Sequence, residues 1–157
     1  MISVQISLLI DAPPHKVWTT LADLEHWPDW NSFFTRMQIQ NQDKDMGIVV
    51  GTKMQFTNRI SPGKSGNYEA RITQWVPGKT FTWVSGPSPW LEWLVYGEHW
   101  FQVQEEKSAD GTSRTRLLQG ENIGGCVSLL LPASMAEDLA TKFRKFNEEL
   151  RCEVDRR

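Results

Sequence analysis

The sequence carries no excess of positive charge, and this excludes one large class of partners. Its 157 residues include 17 Lys and Arg against 19 Asp and Glu, so the formal net charge at pH 7 is −2. Proteins that bind nucleic acid neutralise backbone phosphates with a surplus of Lys and Arg. We therefore expect no nucleic-acid partner.

Cysteine is scarce, and long apolar runs are missing. The two cysteines, Cys126 and Cys152, lack the spacing of metal ligands, and we expect both to be free thiols in a reducing compartment. No apolar stretch approaches the ~20 residues that cross a bilayer. The N-terminal stretch MISVQISLLIDAPP is too short and alternates too regularly for a signal peptide. These features predict a cytoplasmic protein without membrane insertion.

Familiar catalytic motifs are missing as well. The chain has no dinucleotide fingerprint, no phosphate-binding loop, no zinc-ligand spacing and no recognisable Ser-His-Asp order. We therefore expect no cofactor and no metal, and the motifs leave open whether the protein is an enzyme.

Tryptophan, in contrast, is abundant. Eight tryptophans supply large apolar surfaces that either fill a core or line a pocket for an apolar ligand. The chain length and the balance of 39% hydrophobic to 23% charged residues fit a single domain over residues 1–157.

Alternation of apolar and polar residues predicts an antiparallel sheet. Strands are expected at residues 2–10, 34–40, 51–60, 67–76, 79–85, 95–106 and 113–123. A short helix should begin after the first strand, because the prolines of Asp11-Ala-Pro-Pro are tolerated in a first helical turn. A two-residue turn at 77–78 predicts that Ile72 lies opposite Trp83 and Gln74 opposite Phe81.

The stretch YGEHWFQVQ, residues 96–104, places a histidine on the more apolar face of a strand. Antiparallel pairing across the turn KSADGTS puts His99 opposite Glu121 and Phe101 opposite Gln119. Two interpretations remain open. The histidine and the glutamate are either a satisfied polar pair in the core or the polar end of an apolar pocket. A metal site is the remaining alternative.

A long amphipathic helix is predicted at the end of the chain. Leu139, Phe143 and Phe146 recur at helical spacing on one side. A helix of this length must cover an apolar surface, and the only large one available is the concave face of the sheet.

A family resemblance rests on four stretches that follow one another along nearly the whole chain. They are IDAPPHKVWTTLADLEHWPDWN, ARITQWVPGKTFTW, GEHWFQVQEEKSADGTSRTRLLQGENIGG and FRKFNEELR. Together they resemble the START-like SRPBCC superfamily, nearest to its polyketide cyclase/dehydrase-like branch. The resemblance implies the helix-grip fold, an α+β architecture in which a curved antiparallel sheet of about six to seven strands wraps around a long C-terminal helix. Two short helices follow the first strand, and a cavity lies between sheet and helix.

Members of that superfamily bind lipids, sterols, hormones, quinones or polyketides, and only some of them are enzymes, so the fold does not decide the function. We expect a small hydrophobic ligand, with His99 and Glu121 as the candidate catalytic or anchoring pair. The candidate ligand-binding residues are Trp30, Asn31, Phe34, Met54, Phe56, Trp83, Phe101, Gln119, Leu139 and Phe143.

Three classes of function remain open. The first is a binding or transport module for an aromatic, polyketide-like or lipid-like molecule. The second is an enzyme of cyclase, dehydratase or isomerase type that uses His99 and Glu121 as acid and base. The third is a protein-interaction or chaperone-regulating domain whose interior is filled. The loop SGPSPWLEWLVY is unusually apolar, which predicts a lid over the cavity, packing against the helix, or a contact in a homodimer.

Overall fold

The computed structural model describes residues 1–40 and 47–157 and contains one seven-stranded antiparallel sheet and three α-helices. The elements in chain order are β1 (Ile2–Ile10), α1 (Pro14–Ala22), α2 (Trp27–Trp30), β2 (Phe34–Gln40), β3 (Lys53–Ser61), β4 (Lys64–Val76), β5 (Thr80–Ser85), β6 (Tyr96–Lys107), β7 (Ser113–Gly124) and α3 (Met135–Arg156). The expected α+β helix-grip architecture is confirmed, including the two short helices after β1.

The order of strands across the sheet is β1-β7-β6-β5-β4-β3-β2. All neighbours except β1 and β7 are consecutive in the chain, as hairpins require. The inward faces of the strands and one side of α3 form a continuous core, in which Phe81, Phe101, Phe143 and Phe146 are fully buried. The helix therefore covers the concave face of the sheet, as its apolar spacing predicted.

The register between β6 and β7 agrees with the sequence prediction. His99 pairs with Glu121, Phe101 with Gln119, and the ladder continues to the end of the hairpin without a shift. The backbone therefore places His99 and Glu121 directly opposite each other, as predicted.

The register between β4 and β5 corrects one prediction. Ile72 pairs with Trp83 as expected, but a bulge follows, and Gln74 pairs with Thr82 instead of Phe81. The turn is also longer than two residues, because it holds Pro77, Gly78 and Lys79, with Gly78 at a φ of 77°. The extra residue in the turn and the bulge in β4 shift the pairing by one position near the turn.

Candidate functional site

A cavity of about 800 Å³ lies between β3–β7 and the first turns of α3. Its apolar walls are formed by Phe33, Phe34, Phe56, Ile60, Trp83, Val95, Tyr96, Ile123, Met135 and Leu139. Several other lining residues are themselves exposed to solvent and mark the opening, among them Asn67, Glu69, Pro87, Ser134 and Asp138. The cavity is therefore open at one end and enclosed by aromatic and aliphatic side chains at the other.

His99 and Glu121 lie at the enclosed end, on the neighbouring strands β6 and β7. The side chain of His99 is 5% exposed and that of Glu121 is 18% exposed, and the distance from His99 Nδ1 to Glu121 Oε2 is 3.5 Å. This separation exceeds the usual length of a hydrogen bond. The carboxylate is thus beside the imidazole without being tightly held by it.

Gln119 fixes the other side of the imidazole. It is fully buried on the same face of β7, and its Nε2 amide donates to His99 Nε2 at 3.0 Å. A ring nitrogen that accepts a hydrogen bond carries no proton, so with the amide in this orientation we expect the neutral imidazole to carry its proton on Nδ1. Nδ1 faces Glu121, and both ring nitrogens therefore face groups of the protein.

Aromatic side chains surround the histidine ring. Trp83 stacks against it, with ring centroids 4.6 Å apart, while Phe143 contacts it edge-on at 4.8 Å. Phe34 and Phe101 complete the enclosure, with centroid distances of 5.9 Å and 5.0 Å. The enclosure keeps water away from the ring faces, which strengthens the electrostatic interactions at the ring edge.

A glycine makes room for the carboxylate of Glu121. A Cβ atom placed on Gly97 would lie 2.9 Å from Glu121 Oε1 and 3.3 Å from Ser85 Oγ.

Burial and, secondarily, the negative charge of Glu121 raise the pKa of the Tyr68 hydroxyl. Tyr68 therefore stays protonated at the wall of the cavity, where its ring stacks on Phe56.

Asn58 supplies a further polar atom to the wall. Its Oδ1 atom is buried and accepts no hydrogen bond from the part of the chain that the structure describes. Buried carbonyl oxygens are normally paired. The atom is therefore available to a hydrogen-bond donor that enters the cavity.

The structure separates the sequence-predicted site residues into three groups. Six lie on the cavity wall, namely His99, Glu121, Phe34, Phe56, Trp83 and Leu139. Met54, Phe101 and Phe143 are fully buried in the core and do not line the cavity, and Gln119 lies behind His99. These four contribute to the site only through the residues that they support.

Asn31 and Trp30 lie away from the cavity. The Asn31 side chain donates to Trp27 O and accepts from the backbone N–H groups of Phe33 and Phe34. Its amide is thus used entirely in shaping the turn between α2 and β2. Trp30 instead packs on Phe146 and borders a shallow depression beside α3, so neither residue lines the cavity.

Several wall residues were not identified from the sequence, chiefly Asn58, Tyr68, Ser85 and Lys142. The alternation of apolar and polar residues along β3 could have identified Asn58. Asn58 follows Met54 and Phe56 on the inward face of β3, and it is polar on a face that is otherwise apolar. The same argument that drew attention to His99 therefore applies to Asn58.

Other classes of site are not formed by the described residues. Within 1–40 and 47–157, no group of three or more His, Cys, Asp or Glu side chains is placed to hold a metal ion. Among these same residues, no helix has the length and apolar character needed to cross a membrane. Cys126 and Cys152 are both exposed and are not joined in a disulfide.

Comparison with known proteins adds a family and a fold. A family model described as "Polyketide cyclase / dehydrase and lipid transport" matches residues 1–154. The chain is 26% identical over 141 residues to "Oxopyrrolidines biosynthesis cluster protein O" of Penicillium oxalicum (strain 114-2 / CGMCC 5302), covering 76% of this chain and 69% of that protein.

Two solved structures illustrate the likeness of fold. A START superfamily protein from Mycobacterium smegmatis is similar with a TM-score of 0.76 and 15% identity, covering 99% of both chains. A protein from Thermus thermophilus is similar with a TM-score of 0.72 and 14% identity, covering 97% of this chain and 96% of that one. At such identities the likeness establishes the fold alone.

Proposed function

The chain belongs to the polyketide cyclase/dehydrase and lipid transport family, with a START-like fold, and on this premise we propose that it binds a small hydrophobic molecule in its internal cavity. In this proposal residues 1–157 act as a single ligand-binding domain. The ligand enters between sheet and α3 and directs its polar end toward Glu121.

The cavity is the observation that carries the proposal. Its volume of about 800 Å³ lies within the range of sites that bind small molecules, roughly 300–1,000 Å³. Its walls are mainly aromatic and aliphatic, so burial of ligand surface would supply most of the affinity, at about 25 cal/mol per Å² of apolar area. Few polar groups converge at the enclosed end, as expected of a site that orients one end of a ligand.

The polar groups of the cavity favour an uncharged ligand that carries a hydroxyl group. Glu121 and the unpaired Asn58 Oδ1 atom are acceptors, and each calls for a donor. Among the residues that the structure describes, the cavity is lined by the carboxylates of Glu69, Glu121 and Asp138, against the single lysine Lys142. An anionic ligand such as a fatty acid would meet this excess of negative charge, so it should bind more weakly than a neutral one of the same size.

The first test is native mass spectrometry of freshly purified protein, in which native and denatured masses are compared. A co-purifying small molecule that is lost on denaturation would support the proposal, and its formula would narrow the ligand class.

A clean apo mass would be followed by calorimetric titration with three probes of matched shape: 2-naphthol, 2-methoxynaphthalene and 2-naphthoate. We expect 2-naphthol to bind best and 2-naphthoate worst.

A matched pair of variants locates the binding. Leu139→Trp fills the cavity from α3, whereas Val50→Trp adds the same side chain at a position that is 62% exposed and does not line the cavity. We expect Leu139→Trp to reduce probe binding by at least tenfold and Val50→Trp to leave it unchanged. Equal binding by both variants would place the ligand elsewhere and overturn the proposal.

A second candidate function, catalysis by acid and base, is favoured by the pairing of His99 with Glu121 in an enclosed site. Because both nitrogens of His99 face protein groups, Glu121 is the residue that would touch the ligand, and His99 would position it. Glu121 would remove a proton from the carbon next to a ligand carbonyl. If Glu121 returns the proton to another carbon of the ligand, the ligand is isomerised. If a hydroxide leaves the ligand and takes up the proton to form water, the ligand is dehydrated.

Turnover distinguishes the enzyme from the binding module. The co-purified molecule would be incubated with the protein and with Glu121→Gln, and the products would be followed by mass spectrometry and, for isomers of equal mass, by chromatography. An enzyme converts the molecule and loses turnover in the variant while retaining much of the binding. A carrier returns the molecule unchanged, and Glu121→Gln only weakens its binding.

The third candidate, an interaction domain with a filled interior, is disfavoured by the cavity itself. Side chains from β3–β7 and α3 leave about 800 Å³ between them. A protein that acts only through its surface gains nothing from so large an internal space, which lowers packing density and stability.

A further inference from the structure

Five large apolar side chains are exposed near the opening of the cavity, and we call them the mouth patch. They are Trp90 (87% exposed), Leu91 (40%), Trp93 (66%), Leu129 (78%) and Leu130 (82%). Single exposed apolar residues are ordinary in soluble proteins, but a cluster of this size marks an interaction surface.

The mouth patch is assembled from two chain segments that are bonded to each other. Trp90, Leu91 and Trp93 belong to the β5–β6 connection, and Leu129 and Leu130 belong to a short helical segment after β7. Cys126 N donates to Trp93 O at 3.0 Å, and Val127 N donates to Leu94 O at 2.9 Å. These backbone bonds hold the two segments side by side, so the patch is a preformed surface.

The same two segments border the cavity. Pro87 and Val95 flank the patch residues of the first segment and line the cavity, and Pro132 and Met135 follow those of the second and line it too. Whatever covers the mouth patch therefore lies next to the opening through which a ligand enters.

The mouth patch carries no unpaired charge. In residues 86–95 and 125–131 the only charged side chain is Glu92, and its Oε1 atom is 2.7 Å from Arg71 Nη2. Two copies of such a surface would meet without like-charge repulsion, as the centre of a protein interface requires. The two segments contain no Lys or Arg that would attract an anionic membrane.

We propose that the mouth patch is the contact surface for a second copy of this chain. The five side chains expose on the order of 600 Å² of apolar surface. This approaches the roughly 800 Å² that each partner buries in an interface of standard size. A two-fold axis through the patch makes the contact self-complementary, because each copy offers the same tryptophans and leucines to the other. The proposal does not depend on the identity or existence of a cavity ligand.

Analytical ultracentrifugation tests the proposal directly. We expect the wild-type protein to sediment as a dimer, at twice the chain mass of 18.1 kDa, over concentrations up to roughly 100 µM, where contacts with a Kd near 1 µM are almost fully formed. The double variant Trp90→Ser, Leu130→Ser removes two patch anchors and should raise the dimer Kd by at least about 100-fold. Both side chains are more than four-fifths exposed, so the fold should be retained, and circular dichroism would verify this.

The control variant is Val50→Ser, which removes an apolar side chain that is 62% exposed outside the patch. It should leave the dimer intact. A wild-type protein that stays monomeric at roughly 100 µM, far above a Kd of about 1 µM, overturns the proposal. A dimer that survives the double variant overturns it as well. A monomer that floats with phosphatidylcholine vesicles, and loses this property in the double variant, would instead assign the patch to a bilayer surface.

Discussion

The imidazole of His99 lies flat against the indole of Trp83, with ring centroids 4.6 Å apart and an angle of 5° between the ring planes. The two residues are direct partners across β5 and β6, so the register of the sheet holds the rings in contact. The stack leaves the edge of the imidazole for hydrogen bonding. Gln119 and Glu121 occupy that edge, so the ring is fixed both in its plane and in its rotation.

This arrangement predicts the tautomer of His99. Since the Gln119 amide nitrogen donates to His99 Nε2, the neutral ring should carry its proton on Nδ1. The ¹⁵N chemical shifts of the two ring nitrogens, measured by NMR near neutral pH, would report this directly. In Gln119→Leu the preference should weaken, because only the carboxylate of Glu121 beside Nδ1 remains to favour this tautomer. A wild-type ring that is protonated on Nε2 would contradict the assignment of the Gln119 amide and the positioning role derived from it.

Gly97→Ala should disturb the carboxylate of Glu121 without disturbing the sheet. The added Cβ would lie 2.9 Å from Glu121 Oε1, so the carboxylate must move away from its present position. We expect roughly fivefold to tenfold weaker binding of 2-naphthol, which corresponds to about 1 kcal/mol. Calorimetric titration measures the change. Ser85→Ala is the matched control, because it alters the neighbouring side chain without pushing on Glu121, and equal affinities in both variants would argue against a role for the carboxylate.

We expect substitution of Asn31 to lower the stability of the protein without weakening ligand binding. Asn31→Ala would leave the buried N–H groups of Phe33 and Phe34 without an acceptor, and we expect a loss of about 2–4 kcal/mol in the free energy of unfolding. Asn31→Asp retains both acceptor bonds and should lose clearly less. Urea unfolding of the three proteins gives these values. If folded Asn31→Ala bound 2-naphthol much more weakly at unchanged stability, the residue would belong to the ligand site after all.

The hydrogen bonds between Glu153 and two arginines at the end of α3 should make the stability of the protein depend on pH. Hydrogen bonds from Arg156 and Arg157 lower the pKa of Glu153 to about 2. A lowered pKa in the folded state stabilises the protein above the ordinary glutamate pKa, and this stabilisation is lost as pH falls from about 4.5 toward 2. Glu153→Gln should therefore be less stable than wild type by about 1 kcal/mol at pH 7.

Acid titration of unfolding provides the measurement for Glu153. The difference between wild type and Glu153→Gln should shrink as pH falls through this range. Glu148→Gln serves as the control, since Glu148 pairs with Arg151 on the exposed side of the same helix. A difference that stays constant between pH 7 and pH 3 would show that charge on Glu153 is not the cause.

The sequence predicted best where local rules determine the structure. The register of His99 and Glu121 follows from a short turn between two regularly alternating strands, and each added pair repeats the same phase. The prediction that Gln74 pairs with Phe81 was wrong, because a single bulge at residue 73 shifts the register of β4 by one residue. Such a bulge leaves no mark in a pattern of apolar and polar residues.

The site was predictable only in part, for a similar reason. Phe56, Trp83 and His99 share an inward face with core residues such as Met54 and Phe101, and alternation cannot distinguish a wall from a packed interior. The distinction depends on where α3 stops filling the concave face. That boundary is set by tertiary packing between distant segments, which no local pattern contains.

The pairing of β1 with β7 has a consequence for how the chain comes to be folded. Ser3 and Asn122 are hydrogen-bonded across this pair although they are 119 positions apart. During synthesis the first strand must therefore remain without its partner until β7 has left the ribosome. Its apolar residues Val4 and Ile10, buried in the finished protein, stay exposed throughout that interval. A nascent chain stalled before residue 113 should accordingly be a substrate for chaperones and prone to aggregation, because the edge of the sheet cannot close until β7 has been synthesised.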